Sequence, residues 1–128
     1  MSIPIPDVNS PDTFEKYARH YFSNLFGVDL QKRTVMVAEL VPWTFDLVST
    51  EGHYVGDAKW YLHNKKGNGA KLQAIAEYIC LLQKVKADKV FLVFGRDVEV
   101  AEEYLRRVRL LTSPLEFYYL DGSGHHLL

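Results

Sequence analysis

Two aspartates and one lysine in the middle of the chain have the types and spacing needed for metal-dependent chemistry. Ten residues separate Asp46 from Asp57, and Lys59 follows two positions later. Residues i and i+2 of a β-strand point to the same face, so Asp57 and Lys59 should project together. A tight hairpin would bring Asp46, on the neighbouring strand, close to Asp57. The three side chains would then meet at one place on a sheet.

Such a group of side chains suits the hydrolysis of a phosphodiester bond. Mg²⁺ prefers hard oxygen ligands and keeps several waters, so one or two carboxylates are enough to bind it. The metal would polarise a phosphoryl oxygen and lower the pKa of its bound water. A lysine beside the metal could orient or deprotonate that water, or offset the charge of a pentavalent phosphate. We therefore expect Mg²⁺ as the cofactor, with Mn²⁺ as a substitute.

The stretch Asp46…Asp57-Ala58-Lys59 resembles the D-x(n)-(D/E)-x-K signature of the PD-(D/E)XK, or restriction-endonuclease-like, nuclease superfamily. The resemblance implies a core of helix, three strands, helix and strand, with the signature on the second and third strands. It covers about residues 11–95. Phe45 stands where the family name has proline, a position that the family keeps weakly.

The resemblance also implies further site residues. Many members carry a glutamate on the first helix that reaches the metal, and Glu15 lies at that place. Many carry a polar residue early in the second core helix, and Gln73 is the candidate. The carbonyl of Ala58 would be an additional ligand. The implied metal ligands are thus Asp46, Asp57, Glu15 and Ala58, while Lys59 and Gln73 would assist catalysis.

Each assignment has a plainer structural alternative. Asp57 and Lys59 could form a solvated cross-strand pair on an open face of a hairpin, which would contribute little. Glu15 could be stabilised by the dipole of its own helix, or could pair with Arg19 one turn later. Gln73 has the same uncertainty of role. Against the first alternative, the neighbours of these acids are apolar, and a buried acid needs a specific partner.

Apolar periodicity and turn residues predict the elements that would hold these side chains. Residues 10–12 (Ser-Pro-Asp) indicate a helix start, and Gly27 indicates its end. Pro42 should end the first strand. Residues 89–94 (KVFLVF) are continuously apolar, which is typical of a strand buried on both faces. The predicted helices are 11–26, 70–86 and 97–112, and the predicted strands are 34–41, 44–50, 54–62, 89–94 and 115–120.

This order, α-β-β-β-α-β-α-β, predicts an α/β fold with a mixed central sheet flanked by helices. The chain has 128 residues, the size of one domain, and it contains no repeat or linker. The resemblance implies a single restriction-endonuclease-like domain over residues 1–128. In it, residues 96–120 would add a helix and a strand to the core, and residues 121–128 would form a poorly ordered tail.

The charge is nearly balanced overall but not locally. The net charge is -1, so the whole protein has no basic field that would attract nucleic acid. Residues 31–71 nevertheless hold six basic and four acidic side chains, a local charge of +2. Within this segment, Lys65, Lys66 and Lys71 are the candidates for contacts with nucleic-acid phosphates. The alternative is that they form an ordinary solvated loop.

Cysteine content and apolar runs limit the environment of the protein. The single cysteine, Cys80, excludes an internal disulfide framework and a cysteine-rich zinc site, and we expect it to be a small core residue. Its solitary thiol fits a cytoplasmic protein. No apolar run approaches the roughly 20 residues of a membrane-spanning helix, so we expect no membrane partner. The N-terminal residues do not resemble a signal peptide.

The sequence therefore predicts a small Mg²⁺-dependent nuclease, with DNA as the expected partner and endonucleolytic cutting as the expected activity. A domain of this size offers little surface to a duplex, so a homodimer is expected, with residues 117–119 on a terminal strand as its interface. One alternative is a catalytically inactive nucleic-acid-binding or assembly subunit of the same fold. Another is an unrelated α/β binding domain in which the motif is coincidental.

Overall fold

The computed structural model describes residues 3–38, 40–62, 64, 67–108 and 115–128. These residues form three helices and six strands. The helices are α1 (Pro11–Phe26), α2 (Gly69–Gln83) and α3 (Val98–Val108), and the strands are β1 (Leu30–Val37), β2 (Val41–Ser49), β3 (Tyr54–Tyr61), β4 (Lys89–Arg96), β5 (Glu116–Asp121) and β6 (Gly124–Leu127). The predicted last turn of the third helix, residues 109–112, lies outside the described residues.

The six strands form one mixed sheet in which they lie side by side in chain order. Strands β1, β2 and β3 form an antiparallel meander, β3, β4 and β5 are parallel, and β6 is antiparallel to β5. Each parallel connection needs a crossover, and α2 and α3 supply the two crossovers. The predicted α/β class and the predicted antiparallel pairing of the second and third strands are confirmed.

The helices cover both faces of the sheet. On one face, α1 contributes Phe14, Ala18 and Phe22 to a cluster that includes Ala58 and Phe91. On the other face, α2 and α3 cover a second cluster, which includes Phe45, Ile75, Leu92, Phe94 and Ala101. Because β4 contributes side chains to both clusters, it is buried on both faces, as its apolar sequence predicts. None of the described helices combines the length and the apolar character needed to cross a bilayer.

Helix α1 has the predicted limits because its two ends carry strong signals. The side chain of Ser10 accepts a hydrogen bond from the backbone N–H of Thr13. In return, the hydroxyl of Thr13 accepts a hydrogen bond from the backbone N–H of Ser10. Gly27 ends the helix in the left-handed region, with a φ of 68°, where glycine has no steric penalty. The helix start is therefore well defined, and it fixes the position of Glu15, the fifth residue of α1.

The prediction that Pro42 ends the first strand is wrong. Strand β1 begins earlier, at Leu30, and Pro42 lies within β2, paired with Met36 of β1. Pairing of β2 with β3 begins only at Leu47. Within the described part of the chain, the first half of β2 therefore has no strand paired to it on the β3 side. Pro42 lacks an N–H group, but no hydrogen bond between β2 and β3 is lost there.

The predicted poorly ordered tail is also wrong, because residues 124–127 form strand β6 on the outside of β5. The hydroxyl of Tyr21 lies 2.7 Å from Nδ1 of His125 and binds β6 to α1. With β6 at the edge, Phe117, Tyr118 and Tyr119 are buried. Residues 117–119 are consequently not a dimer interface, and the expected homodimer has no assigned surface.

Cys80 is exposed, which contradicts its prediction as a core residue. Its predecessor on α2, Ile79, is buried against the sheet, as is Leu82. Successive residues of an α-helix are rotated by about 100°, so the position after a buried residue turns toward solvent. Cys80 occupies that position on α2.

Candidate functional site

Strands β2 and β3 separate at the two predicted aspartates. Their backbone pairing consists of Leu47 with Gly56 and Val48 with Val55. Beyond this point, β2 stays paired with β1 and β3 stays paired with β4. The sheet therefore opens between the two strands, and this opening, which begins at Asp46 on β2 and at Asp57 on β3, is called the fork below.

The two carboxylates fill the fork with hydrogen bonds that replace those of the ladder. The backbone N–H of Asp46 donates to Oδ1 of Asp57 over 3.0 Å, and the N–H of Ala58 donates to Oδ2 of Asp46 over 3.2 Å. Both aspartates are buried, with 7% and 2% exposure. The N–H and C=O groups of a strand residue point to the same side, so the Ala58 carbonyl also faces the fork.

Lys59 is held as a cation between a carboxylate and an aromatic ring. Its Nζ lies 2.7 Å from Oδ2 of Asp57 and 3.2 Å from the centre of the Tyr78 ring on α2. Burial lowers the pKa of Lys59, but the attraction and hydrogen bond of Asp57, together with smaller contributions from Tyr78 and Tyr61, bring the net pKa above its ordinary value. Lys59 is therefore an ammonium group at neutral pH. In this state it can orient water and offset negative charge, but it cannot accept a proton.

Glu15 reaches the same group of side chains from the second turn of α1. Burial, followed by a hydrogen bond and charge repulsion from Asp46, raises the pKa of Glu15 to about 7. Burial and the Asp46 carboxylate also raise the pKa of Asp57 to about 7, although Lys59 lowers it. Burial raises the pKa of Asp46 too, but hydrogen bonds with Glu15, Asp57 and the Ala58 N–H make the net shift downward. Near neutral pH, Glu15 and Asp57 therefore exchange protons with the solvent, whereas Asp46 is ionised.

These groups line an open cleft with a volume of about 430 Å³. Six lining residues are not among the site residues predicted from the sequence: Pro11, Lys32, Thr44, Trp60, Tyr61 and Tyr78. Nζ of Lys32 lies 3.9 Å from Oδ1 of Asp46. Tyr61 follows Lys59 by two positions on β3, so strand alternation could have identified it. Lys32 and Tyr78 come from β1 and α2, and nothing in their local sequence indicates the cleft.

The structure does not bring every predicted residue to this cleft. Gln73 is exposed on α2 and does not line the cleft, because Leu72 and Ile75 form the side of the helix that packs on the sheet. Tyr78, more than one turn later, is the side chain of α2 that reaches the site. Lys71 is half-buried in the first turn of α2, outside the lining. Lys65 and Lys66 lie outside the described residues.

The predicted metal ligands agree with Mg²⁺ in chemistry, although they are not arranged as a finished site. Among the described residues, no group of three or more His, Cys, Asp or Glu side chains forms a ready metal-binding cluster. One reason is that both oxygens of Asp57 already have partners. Oδ1 accepts a hydrogen bond from the Asp46 N–H, and Oδ2 forms an ion pair with Lys59. The donors are nevertheless hard oxygens, and the protons that Glu15 and Asp57 hold near neutral pH are positive charges that a cation would replace. The residues present therefore fit the ion.

Comparison with protein-family models, with curated proteins and with solved structures gave no significant match to this chain. No relative therefore supplies a role for any residue of the cleft. The resemblance to the PD-(D/E)XK superfamily stays a prediction that rests on Asp46, Asp57 and Lys59 and on the order of elements.

Proposed function

We propose that the protein is a metal-dependent nuclease with a single restriction-endonuclease-like domain that cuts phosphodiester bonds, with DNA as the expected substrate. The observation that carries the proposal is the fork. There, Asp46 and Asp57 on two separating strands, Glu15 on α1 and the ammonium of Lys59 meet in one open cleft. Buried acids in a sheet are costly, and their concentration with perturbed pKa values in a cleft is typical of a functional site.

Each side chain of the fork has a role in this chemistry. Asp46, Asp57, Glu15 and the Ala58 carbonyl would hold Mg²⁺, which supplies polarisation of the phosphoryl oxygen and a more acidic bound water. The Lys59 ammonium would offset the negative charge that develops on the phosphate. Without the ion, the pKa of Glu15 is about 7, so Mg²⁺ binding near neutral pH would release a proton from this carboxyl group.

Basic side chains near the cleft would bind the substrate backbone. Lys32 lines the cleft, Lys71 lies in the first turn of α2, and Lys65 and Lys66 precede Lys71 in the sequence. With a net charge of -1, the protein depends on such local positive charge to attract nucleic acid. We therefore expect binding that weakens steeply as the salt concentration rises.

The direct test is the cutting of supercoiled plasmid in Mg²⁺ or Mn²⁺ by the wild type and by Asp57→Asn. Asparagine keeps an oxygen acceptor for the Asp46 N–H but removes the charge, so the fold is preserved better than with alanine. The matched control is Glu51→Gln, which changes an exposed acid on the turn between β2 and β3. We expect the wild type and the control to cut and Asp57→Asn to be inactive. Cutting that persists in Asp57→Asn would indicate a contaminating nuclease and contradict the assignment.

The second candidate is an inactive nucleic-acid-binding or assembly subunit of the same fold. The observation in its favour is that both oxygens of Asp57 already have partners, Lys59 and the Asp46 N–H. This candidate predicts that the wild type binds labelled DNA but neither cuts it nor responds to Mg²⁺. The nuclease candidate predicts that Mg²⁺ binds in competition with the shared protons, and isothermal titration calorimetry with Mg²⁺ alone distinguishes the two.

A further inference from the structure

A second cleft, with a volume of about 310 Å³, adjoins the fork along β3. Trp60 lines both clefts, with Ala58 two residues earlier on the same face of the strand. The apolar wall of the second cleft comes from residues 3–5 and Val8, and its polar side includes Arg96. A ligand that occupies the fork can therefore extend into this second cleft past Trp60.

Arg96 and Trp60 form a flat platform in the second cleft. The guanidinium carbon of Arg96 lies 4.5 Å from the centre of the Trp60 ring, a cation–π contact. Arg96 ends β4 in the left-handed region, with a φ of 72°, which is unfavourable for a residue with a side chain. The hydroxyl of Tyr119 donates to the Arg96 carbonyl over 2.9 Å and helps to hold this conformation. Such strain is retained most often at sites with a function.

The walls of the second cleft are fixed by long-range hydrogen bonds. The backbone N–H of Ile3 donates to Oδ2 of Asp121 over 3.1 Å, and the N–H of Gly122 donates to the Ile3 carbonyl over 2.7 Å. Asp97 and Asp121 also line the cleft. Their charges disfavour a phosphate there and favour a neutral, flat group that carries N–H donors. A nucleobase has those properties.

We propose that the Trp60–Arg96 platform binds the base of an unpaired nucleotide whose phosphate lies in the fork. This inference rests on the proposed nuclease function and narrows its substrate to single-stranded or locally unpaired nucleic acid. Ala58 and Trp60 are separated by roughly 7 Å along β3, a distance that one nucleotide can bridge. A base inside a duplex is stacked on both sides and must leave the stack before it can contact such a platform.

The test uses the fluorescence of Trp60, without metal. The chain contains two tryptophans, so Trp43→Phe leaves Trp60 as the sole emitter and keeps an aromatic ring near Tyr78. In EDTA and low salt, we expect a hexathymidylate single strand to quench Trp60 saturably, and a blunt DNA hairpin with a stem of about six base pairs and a non-nucleotide loop to quench it much less. By anisotropy of a labelled single strand, Trp60→Leu and Arg96→Asn should each weaken binding roughly tenfold relative to Trp43→Phe. Asparagine tolerates the positive φ at this position.

The outcomes separate this inference from the proposed function. The proposal that the Trp60–Arg96 platform binds a base would be wrong if the hairpin and the single strand quenched Trp60 equally. It would also be wrong if Trp60→Leu and Arg96→Asn both left the affinity unchanged. Either result would hold even if the protein cuts DNA. Quenching by the single strand in a protein that cuts no nucleic acid would support the platform and contradict the nuclease. The wild type could cut single strands preferentially, and Trp60→Leu could lose this activity while its fold stays intact by circular dichroism. This result would support both the base platform and the nuclease function.

Discussion

Asp46 and Asp57 each form a hydrogen bond with the other's strand. The backbone N–H of Asp46 donates to the Asp57 carboxylate, and the Asp46 carboxylate accepts a hydrogen bond from the backbone N–H of Ala58, the residue after Asp57. This exchange occurs where the ladder between β2 and β3 ends. The two carboxylates therefore satisfy buried backbone groups that the separated strands would otherwise leave without partners. The same bonds fix the acids at the cleft, so structure and proposed chemistry depend on one arrangement.

The shared protons predict how stability depends on pH. Glu15 and Asp57 have pKa values of about 7 in the folded protein and ordinary values of 4.5 and 3.8. Between about pH 4 and pH 7 the folded state therefore binds more protons than the unfolded state, so the free energy of unfolding falls as the pH rises. The lowered pKa of Asp46 acts only below this window. Urea unfolding from pH 4.5 to 7.5 should show this decline, with a shallower slope in Glu15→Gln. Equal slopes would contradict a shared proton at Glu15.

Mg²⁺ should stabilise the protein more as the pH rises. The cation binds the deprotonated carboxylates, so below pH 7 it must displace the protons shared by Glu15 and Asp57. We expect the melting temperature to increase with Mg²⁺ more at pH 8 than at pH 6, because binding to the folded state alone adds to its stability. Asp57→Asn should lose this response, and Glu51→Gln should keep it. A shift that is independent of pH, or equal in Asp57→Asn, would place the ion elsewhere.

The contact between Asp57 and Lys59 predicts strong coupling in stability. The two side chains are 3% and 11% exposed and 2.7 Å apart, so loss of one charge leaves the other buried without its partner. Lys59→Met should therefore destabilise the protein by about 3 kcal/mol at about pH 8.5, where Asp57 is ionised, whereas Asp57→Asn combined with Lys59→Met should recover most of that loss. The measurement is urea unfolding of both single variants and the double variant at about pH 8.5. Additive losses would show that the pair is solvated rather than buried.

The sequence predicts those parts of the site that depend on neighbours in the chain. Helix α1 is predicted because its start and end residues act locally, and this positions Glu15. Strand alternation correctly predicts that Asp57 and Lys59 project together from β3. The fork itself is not predictable in this way, because the end of the pairing between β2 and β3 depends on which partners each strand keeps on its other side.

The errors have the same physical origin, since each concerns a contact between distant segments. Residues 124–127 lack a strong strand pattern, and they are ordered by pairing with β5 and by the bond from Tyr21 to His125. The resemblance implies Gln73 from the place of a polar residue in the sequence, whereas the rotation of α2 about its axis decides that Tyr78 is the side chain that reaches the cleft. That rotation follows from tertiary packing, which periodicity predicts only approximately.

The ring of Tyr78 predicts a positioning role for α2 in the proposed reaction. It lies 3.2 Å from Nζ of Lys59 and favours the charged form of the lysine, by up to about 2 kcal/mol for a desolvated contact. Tyr78→Leu should therefore lower kcat for DNA cutting by roughly tenfold or more and move the alkaline limb of its pH profile to lower pH, because Lys59 would lose its proton more easily. Tyr78→Phe keeps the ring and should retain both the rate and the profile. Two outcomes would contradict a role through Lys59. If Tyr78→Leu is slower but its alkaline limb does not shift, the ring acts through packing. If Tyr78→Phe is impaired as much as Tyr78→Leu, the hydroxyl group is required.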